Sequence, residues 1–273
     1  MKNKVKDFSE LKTGEQVKET ANEILEGSKK AAFAHDSDQA LFVMVVIDCS
    51  HSVQEANAFD IYNQILPTMI EKFTEYPDAL AKIKIGVIRY GTEVEVVTDY
   101  IPVHEYVPDT NICRDMKLTD SAAALEKAFE LTEEAMYYYQ SELGAKILKG
   151  IVIHVTDGLP TSESEEMDRV ASIYNGYVRS NGKKRIENYV VTQNEDAFKA
   201  VENYADKTFM TEDYEGLVNA LKDVAEMASI MSTLDVRYNS ETGEFDIDTS
   251  QAGTMELTED IKQVRTLDLS QTL

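Results

Sequence analysis

The sequence predicts an α/β fold, a three-layer sandwich with a mostly parallel central sheet, one antiparallel strand and helices on both faces. Three observations predict it. Leu41–Ile47 is a continuous apolar run, the pattern of a strand buried on both faces. From Leu41 to about Ser232, strand-like runs alternate with amphipathic helical stripes at the spacing of crossover units. Short oxygen-rich segments follow two of the runs and open one helix, at the strand ends where such folds bind ligands.

The elements follow in order. Residues 1–40 carry 7 basic and 8 acidic groups and read as an accessory helical extension. There Val17, Ala21, Ile24 and Leu25 recur at helical spacing, and Gly27 supplies a stop. After the first strand, Ala58, Ile61, Ile65, Leu66, Met69, Ile70 and Phe73 line one side of a helix. Pro67 inside that stripe is expected to kink the helix or remove a hydrogen bond. Ile83–Arg89 and Val94–Val97 flank the short turn after Tyr90, which predicts an antiparallel hairpin. Thr98–Leu118, with Pro102 and Pro108, reads as a long loop.

Leu125, Ala128, Phe129, Thr132 and Met136 mark the next helix, and Ile151–Val155 the next buried strand. Met167, Val170, Ala171, Tyr174 and Val178 form a further helical stripe. Weaker strands are expected at Tyr189–Thr192 and Thr208–Met210, and helices at Asp196–Tyr204 and Leu217–Ala228. These segments make 41–232 the main domain. The tail, 233–273, carries 9 acidic and 3 basic groups; Leu234–Tyr238 and Phe245–Ile247 around Glu241-Thr242-Gly243 read as a hairpin on an acidic appendage.

Composition narrows function. The chain has 273 residues, 43% of them hydrophobic, enough for a sizeable core. Its 50 acidic against 27 basic residues leave a formal charge of −23, which argues against a nucleic-acid binder and against docking on anionic membranes. A cation or a partner with a basic rim is the natural counterpart. Cys49 and Cys113 form neither a C-x-x-C pair nor a zinc-spaced cluster. No apolar stretch follows the lysines near the start, and Leu41–Ile47 is too short to span a bilayer. The expectation is a cytoplasmic protein with reduced thiols.

Three segments then carry the chemistry: Asp48-Cys49-Ser50-His51-Ser52 after the first strand, Thr119-Asp120-Ser121 opening a helix, and Thr156-Asp157-Gly158-Leu159-Pro160-Thr161 after a later strand. In an extended Asp48-x-Ser50-x-Ser52 the alternating oxygens can face one side. Carboxylates and hydroxyls are the hard ligands that Mg²⁺ or Mn²⁺ prefers. Each segment also has a plainer reading, since Asp48 or Ser52 could cap a helix beginning near Glu55. Cys49 reads as a packed thiol and His154 as a hydrogen-bonded core histidine. Tyr137-Tyr138-Tyr139 must face different surroundings.

The order D-x-S-x-S, T, T-D-G-x-P-T resembles the metal-ion-dependent adhesion site (MIDAS) of von Willebrand factor A (vWA) domains. Thr119 followed by Ala123-Ala124-Leu125 resembles that family's T-x-x-x-A-A-L helix start. Ile85-Gly86-Val87-Ile88 with Tyr90 is similar to its second strand, and Ala205-Asp206-Lys207-Thr208-Phe209 to its last. Within the family the chain most resembles bacterial tellurite-resistance (TerY-type) vWA proteins. The resemblance implies a Rossmann-like vWA fold over 41–232. It implies metal ligation by Asp48, Ser50, Ser52, Thr119 and Asp157, directly or through water. It further implies an open position for an Asp or Glu carboxylate of a partner protein, in a cytoplasmic stress-response or defence system. Lys117-Leu118 departs from the family, where two glycines usually precede the threonine, and Cys49 and His51 replace small residues.

The leading expectation is therefore a non-enzymatic, Mg²⁺- or Mn²⁺-dependent protein-interaction module. One alternative is a Mg²⁺-dependent phosphoryl-transfer enzyme with Asp48 as nucleophile, although Ser50 stands where that chemistry places a second aspartate. The other is a metal-free vWA scaffold.

Overall fold

The computed structural model describes residues 39–114, 116–162, 164–177, 182–200, 204–234, 236–240, 244–247 and 261–264. The helix expected within 1–40 lies outside the described residues, as does Val178.

The strands are β1 (Gln39–Asp48), β2 (Ile83–Tyr90), β3 (Val94–Pro102), β4 (Lys146–Val155), β5 (Ile186–Thr192), β6 (Lys207–Thr211), β7 (Val236–Asn239), β8 (Glu244–Ile247) and β9 (Ile261–Val264). Seven of them form one sheet in the order β3-β2-β1-β4-β5-β6-β9. The five inner strands run parallel, and β3 pairs antiparallel with β2 as the short turn predicted. A second antiparallel edge comes from the tail, where β9 pairs with β6; this part of 233–273, read as an appendage, completes the main sheet. β7 and β8 pair separately as an antiparallel two-stranded sheet.

The helices are α1 (His51–Glu55), α2 (Phe59–Tyr62), α3 (Ile65–Thr74), α4 (Pro77–Leu80), α5 (Ser121–Ser141), α6 (Ser164–Asn175), α7 (Glu195–Ala200) and α8 (Tyr214–Ser232). Period-two alternation along β1 divides the core. Leu41, Val43, Val45 and Ile47 pack with Leu66, Met69 and Phe73 of α3 and with Leu217, Leu221 and Val224 of α8. Ala40, Phe42, Met44 and Val46 face the other way, toward Leu125, Ala128 and Phe129 of α5 and Val170 and Tyr174 of α6. Helices thus cover both faces, which is why β1 reads as an unbroken apolar run.

Two local expectations change. The single helix through Ala58–Phe73 is two helices, α2 and α3, and Pro67 is the third residue of α3. In a first turn the amide has no intrahelical acceptor, so proline there removes no bond. Thr98–Pro102 continues β3, and the loop begins only after Pro102 with a 3₁₀ turn at Val103–Glu105. Its Val-, Thr-, Tyr- and Ile-containing sequence suits an edge strand, and Pro102 is tolerated at that edge.

The strand order reverses between β1 and β4. From β1 the chain crosses to β2 on one side, and later strands add from β4 outward on the other. Asp48 lies beside Tyr90 and Ile47 beside Val155, so the carboxyl ends of β1, β2 and β4 are level at this switch point.

Candidate metal centre

Asp48 ends β1, fully buried. Its Oδ1 accepts the Ser50 amide (2.9 Å), and its Oδ2 accepts the Thr156 hydroxyl (2.7 Å) and the Tyr90 hydroxyl (3.3 Å). The capping alternative is not what forms. Ser50 occupies the N-cap position of α1 without a side-chain cap bond, and the Asp48 carboxylate closes a turn on Ser50. The Ser50 hydroxyl shares a 3.0 Å hydrogen bond with Ser52, and Ser52 donates to Asp157 Oδ1 at 2.7 Å. Asp157 Oδ2 accepts from the Tyr214 hydroxyl at 2.9 Å. Two loops distant in sequence are thus joined through hydroxyl–carboxylate bonds.

Thr119 arrives by backbone contacts. Thr161 donates its amide to the Thr119 carbonyl (2.9 Å), Thr119 donates its amide to Thr161 Oγ1 (3.2 Å), and His51 N–H reaches the Lys117 carbonyl (2.8 Å). The Thr119 side chain is buried but makes no hydrogen bond to the other four residues. Lys117 adopts φ 66°, the left-handed conformation that glycine takes without strain, at a position where the resembling family carries glycine. Gly91 permits the approach from below: a Cβ there would lie 2.3 Å from Met116 Cβ and 2.6 Å from the Met116 carbonyl oxygen.

Two buried acids dominate the electrostatics of these loops. Burial raises the Asp48 carboxyl to about 6, against the lowering effect of the Thr156 and Ser50 bonds, and the Asp157 charge raises it further. Burial also raises Asp157, opposed by its bonds to Ser52 and Tyr214. Among the described residues no lysine or arginine pairs with either carboxylate. Nor do three or more His, Cys, Asp or Glu side chains cluster at metal-holding distance, so the donors are two carboxylates with hydroxyls. That set fits a hard divalent cation and does not fit a soft one.

Several supporting residues escaped the sequence reading. Thr156 lay inside a motif already singled out but received no role. Tyr90 was visible as the end of a strand, whereas Tyr214 opens α8 with no local signal. His154 is buried and hydrogen-bonds Tyr90 OH through Nε2 (2.7 Å), leaving Nδ1 without a partner. With the tyrosine hydroxyl donating to Asp48, Nε2 carries the ring proton and donates to the tyrosine oxygen; a bare Nδ1 acceptor is then the cheaper orphan. Burial holds this imidazole neutral, its pKa lowered to about 3.

His51 turns outward to Gln54 and Glu55, away from Cys49. Cys49, within the Asp48–Ser52 loop, and Cys113 are buried free thiols, and the neighbouring Cys49 side chain together with burial raises the Cys113 thiol well above the ordinary range. Tyr139 is buried, whereas Tyr137 and Tyr138 are exposed.

No family model matches the sequence, and no curated protein matches it. Solved structures do match the fold. A von Willebrand factor type A protein from Catenulispora acidiphila aligns over 72% of this chain and 44% of its own length, with a TM-score of 0.52 at 13% identity. The pilus adhesin SpaC from Lactobacillus rhamnosus GG aligns over 70% and 31%, with a TM-score of 0.54 at 10% identity. The PilB minor pilin from Streptococcus sanguinis, as its D319A mutant, aligns over 71% and 62%, with a TM-score of 0.51 at 10% identity. The chain spans less than two thirds of each. The fold is a Rossmann-like α/β sandwich of vWA type. No described helix is long and apolar enough to cross a membrane.

Proposed function

We propose that this chain is a metal-dependent protein-interaction module of the MIDAS kind. Ser50, Ser52 and Thr119 offer hydroxyls, and Asp48 and Asp157 offer carboxylates, to one Mg²⁺ or Mn²⁺. The bound cation would supply a positive centre that captures an Asp or Glu carboxylate of a partner protein. The chain's own residues prepare for it. Thr156, Tyr90 and the Ser50 amide orient Asp48, while Tyr214 orients Asp157. The observation that carries the reading is the pair of buried, mutually repelling carboxylates with no basic partner among the described residues. The tellurite-resistance-like setting and the cytoplasmic location rest on the sequence resemblance. Cell fractionation tests that location, since a pilin and a pilus adhesin share the fold.

A phosphoryl-transfer enzyme fits less well, because Ser50 stands where that chemistry places a second aspartate beside the nucleophile. The metal-free scaffold keeps one observation in its favour, the Thr119 hydroxyl unconnected to the other ligands. Calorimetric titration of Mg²⁺ and Mn²⁺ into the EDTA-stripped full chain separates these readings, with Ser50→Ala/Ser52→Ala run alongside. One binding site in the wild type, lost in the variant, is expected. No binding to the wild type favours the scaffold, and equal binding by the variant moves the metal elsewhere. Adding acetate as a carboxylate probe is expected to tighten metal binding if a ligand position is open.

A further inference from the structure

Cys49 and Cys113 lie 64 positions apart in sequence, yet each thiol is directed at the chain beside the other. Cys49 Sγ is 3.9 Å from the Ile112 carbonyl oxygen, and Cys113 Sγ is 3.6 Å from the Asp48 carbonyl oxygen. The backbone of each is held in place: the Met116 amide donates to the Cys49 carbonyl at 3.0 Å, and Asn63 Oδ1 accepts the Cys113 amide at 2.7 Å. This reciprocal arrangement includes the Asp48–Ser52 loop itself. One partner, Cys49, directly follows the last residue of β1. The other belongs to 106–114, a segment without regular structure apart from a turn.

We propose that Cys49 and Cys113 are a redox pair that closes to an intramolecular disulfide under hydroperoxide and thereby repositions the Asp48–Ser52 loop. In the first step one sulfur, giving up its proton, takes the terminal oxygen of the hydroperoxide. It becomes a sulfenic acid, and the alcohol leaves (water, from hydrogen peroxide). In the second step the other sulfur displaces hydroxide from the sulfenic acid, and the hydroxide departs as water with the second thiol proton. Two thiols lose two electrons and two protons, and the peroxide takes up both. Both sulfurs are buried, so the oxidant enters when the irregular 106–114 segment opens locally; reaction is slow beside that of an exposed sensor thiol.

The consequence for the loop is geometric. A disulfide holds its sulfurs at about 2 Å, well inside any non-bonded contact, so closure draws Cys49 and the adjoining Asp48 and Ser50 toward Cys113. Mg²⁺ requires near-octahedral oxygens at about 2.0–2.1 Å and tolerates such a displacement poorly. The effect on metal binding rests on the function proposed above, whereas the disulfide does not.

The test treats the folded full chain with hydrogen peroxide, blocks remaining thiols, and maps peptides without reduction. The expected product joins the Cys49 and Cys113 peptides at two hydrogen masses below their sum, is independent of protein concentration, and reverts with dithiothreitol. Hydrogen exchange is expected to change in peptides covering 48–55. Mg²⁺ affinity is expected to fall at least tenfold and to recover on reduction, while Cys113→Ser shows none of these responses to peroxide. Free thiols after treatment, separate sulfinic acids, or links between copies would overturn the redox pair. A disulfide that leaves both exchange and titration unchanged would overturn the coupling to the loop. A disulfide with altered exchange, in a chain that binds no Mg²⁺ in either state, would support the pair and count against the metal-binding reading instead.

Discussion

At the scale of single residues, Lys117 shows how a sequence departure can leave a conformation intact. Its left-handed φ of 66° turns its carbonyl toward the His51 amide, tying the second loop to the first. A non-glycine residue in that region costs about 1–2 kcal/mol, part of which glycine returns through its freer unfolded chain. Lys117→Gly is therefore expected to stabilise the protein by up to about 1 kcal/mol, read by denaturant unfolding, with metal affinity unchanged. Asp48 and His154 make a second residue-scale prediction. Asp48 titrates at about 6 in the folded chain against 3.8 unperturbed, so the folded state binds its proton more tightly. That contribution is fully present below pH about 4 and is lost as the pH rises through 6, roughly 3 kcal/mol in all. His154, lowered to about 3 from 6.5, works the other way: its contribution is present above pH 6.5 and is lost as the pH falls toward 3. Between pH 4 and 6 the two oppose each other. In the metal-free chain, Asp48→Asn is expected to be more stable than wild type at pH 7 and to lose that advantage steadily on acidification. Parallel stability profiles from pH 4 to 7 would show that Asp48 is not buried as an anion.

At the scale of elements, the site depends on how closely the turn after β2 approaches the irregular segment before Thr119. The Gly91 amide closes the turn on the Glu93 carbonyl at 3.1 Å, its carbonyl accepts Asp120 N–H at 3.0 Å, and Thr92 N–H meets the Met116 carbonyl at 2.7 Å. Gly91→Ala would drive a methyl into Met116 backbone, which cannot rotate away. A loss of about 1–3 kcal/mol is expected, with metal affinity falling because Thr119 moves with the displaced segment. A variant that folds and binds Mg²⁺ as well as wild type would show that Thr119 is dispensable. The contrasting case is Pro67, which sits in the first turn of α3. Pro67→Ala is expected to shift stability by less than about 1 kcal/mol, whereas proline deep inside a helix costs about 3. Helical periodicity through 58–73 is legible in the sequence, but the break at 63–64 is not. The apolar stripe continues across it because both helices face the same core.

For the whole molecule, a formal charge of −23 sets the background against which any cation acts. Screening by monovalent salt is expected to raise the melting temperature modestly, through reduced self-repulsion. Mg²⁺ at a hundred times its dissociation constant is expected to add about 2.7 kcal/mol beyond that. The comparison that checks it is melting in Mg²⁺ against NaCl of equal ionic strength, with Ser50→Ala/Ser52→Ala as control. The variant should retain the salt effect and lose the Mg²⁺ increment. If both salts act alike on the wild type, Mg²⁺ is only screening charge.

By itself the sequence determined the layered α/β architecture, because burial on both faces imposes unbroken apolar strands and helical stripes that periodicity reveals. It also determined the site candidates at strand ends, because Asp48, Ser50, Ser52 and Asp157 stand immediately after the apolar runs that place them. The tertiary structure alone decided what supports those residues. Tyr90, His154 and Tyr214 act across pairs of elements distant in the chain, and no local spacing encodes such pairings. It likewise decided that β9 closes the far edge and that Cys113 meets Cys49. Both depend on where loops come to rest against an assembled sheet, which long-range packing sets and local pattern does not.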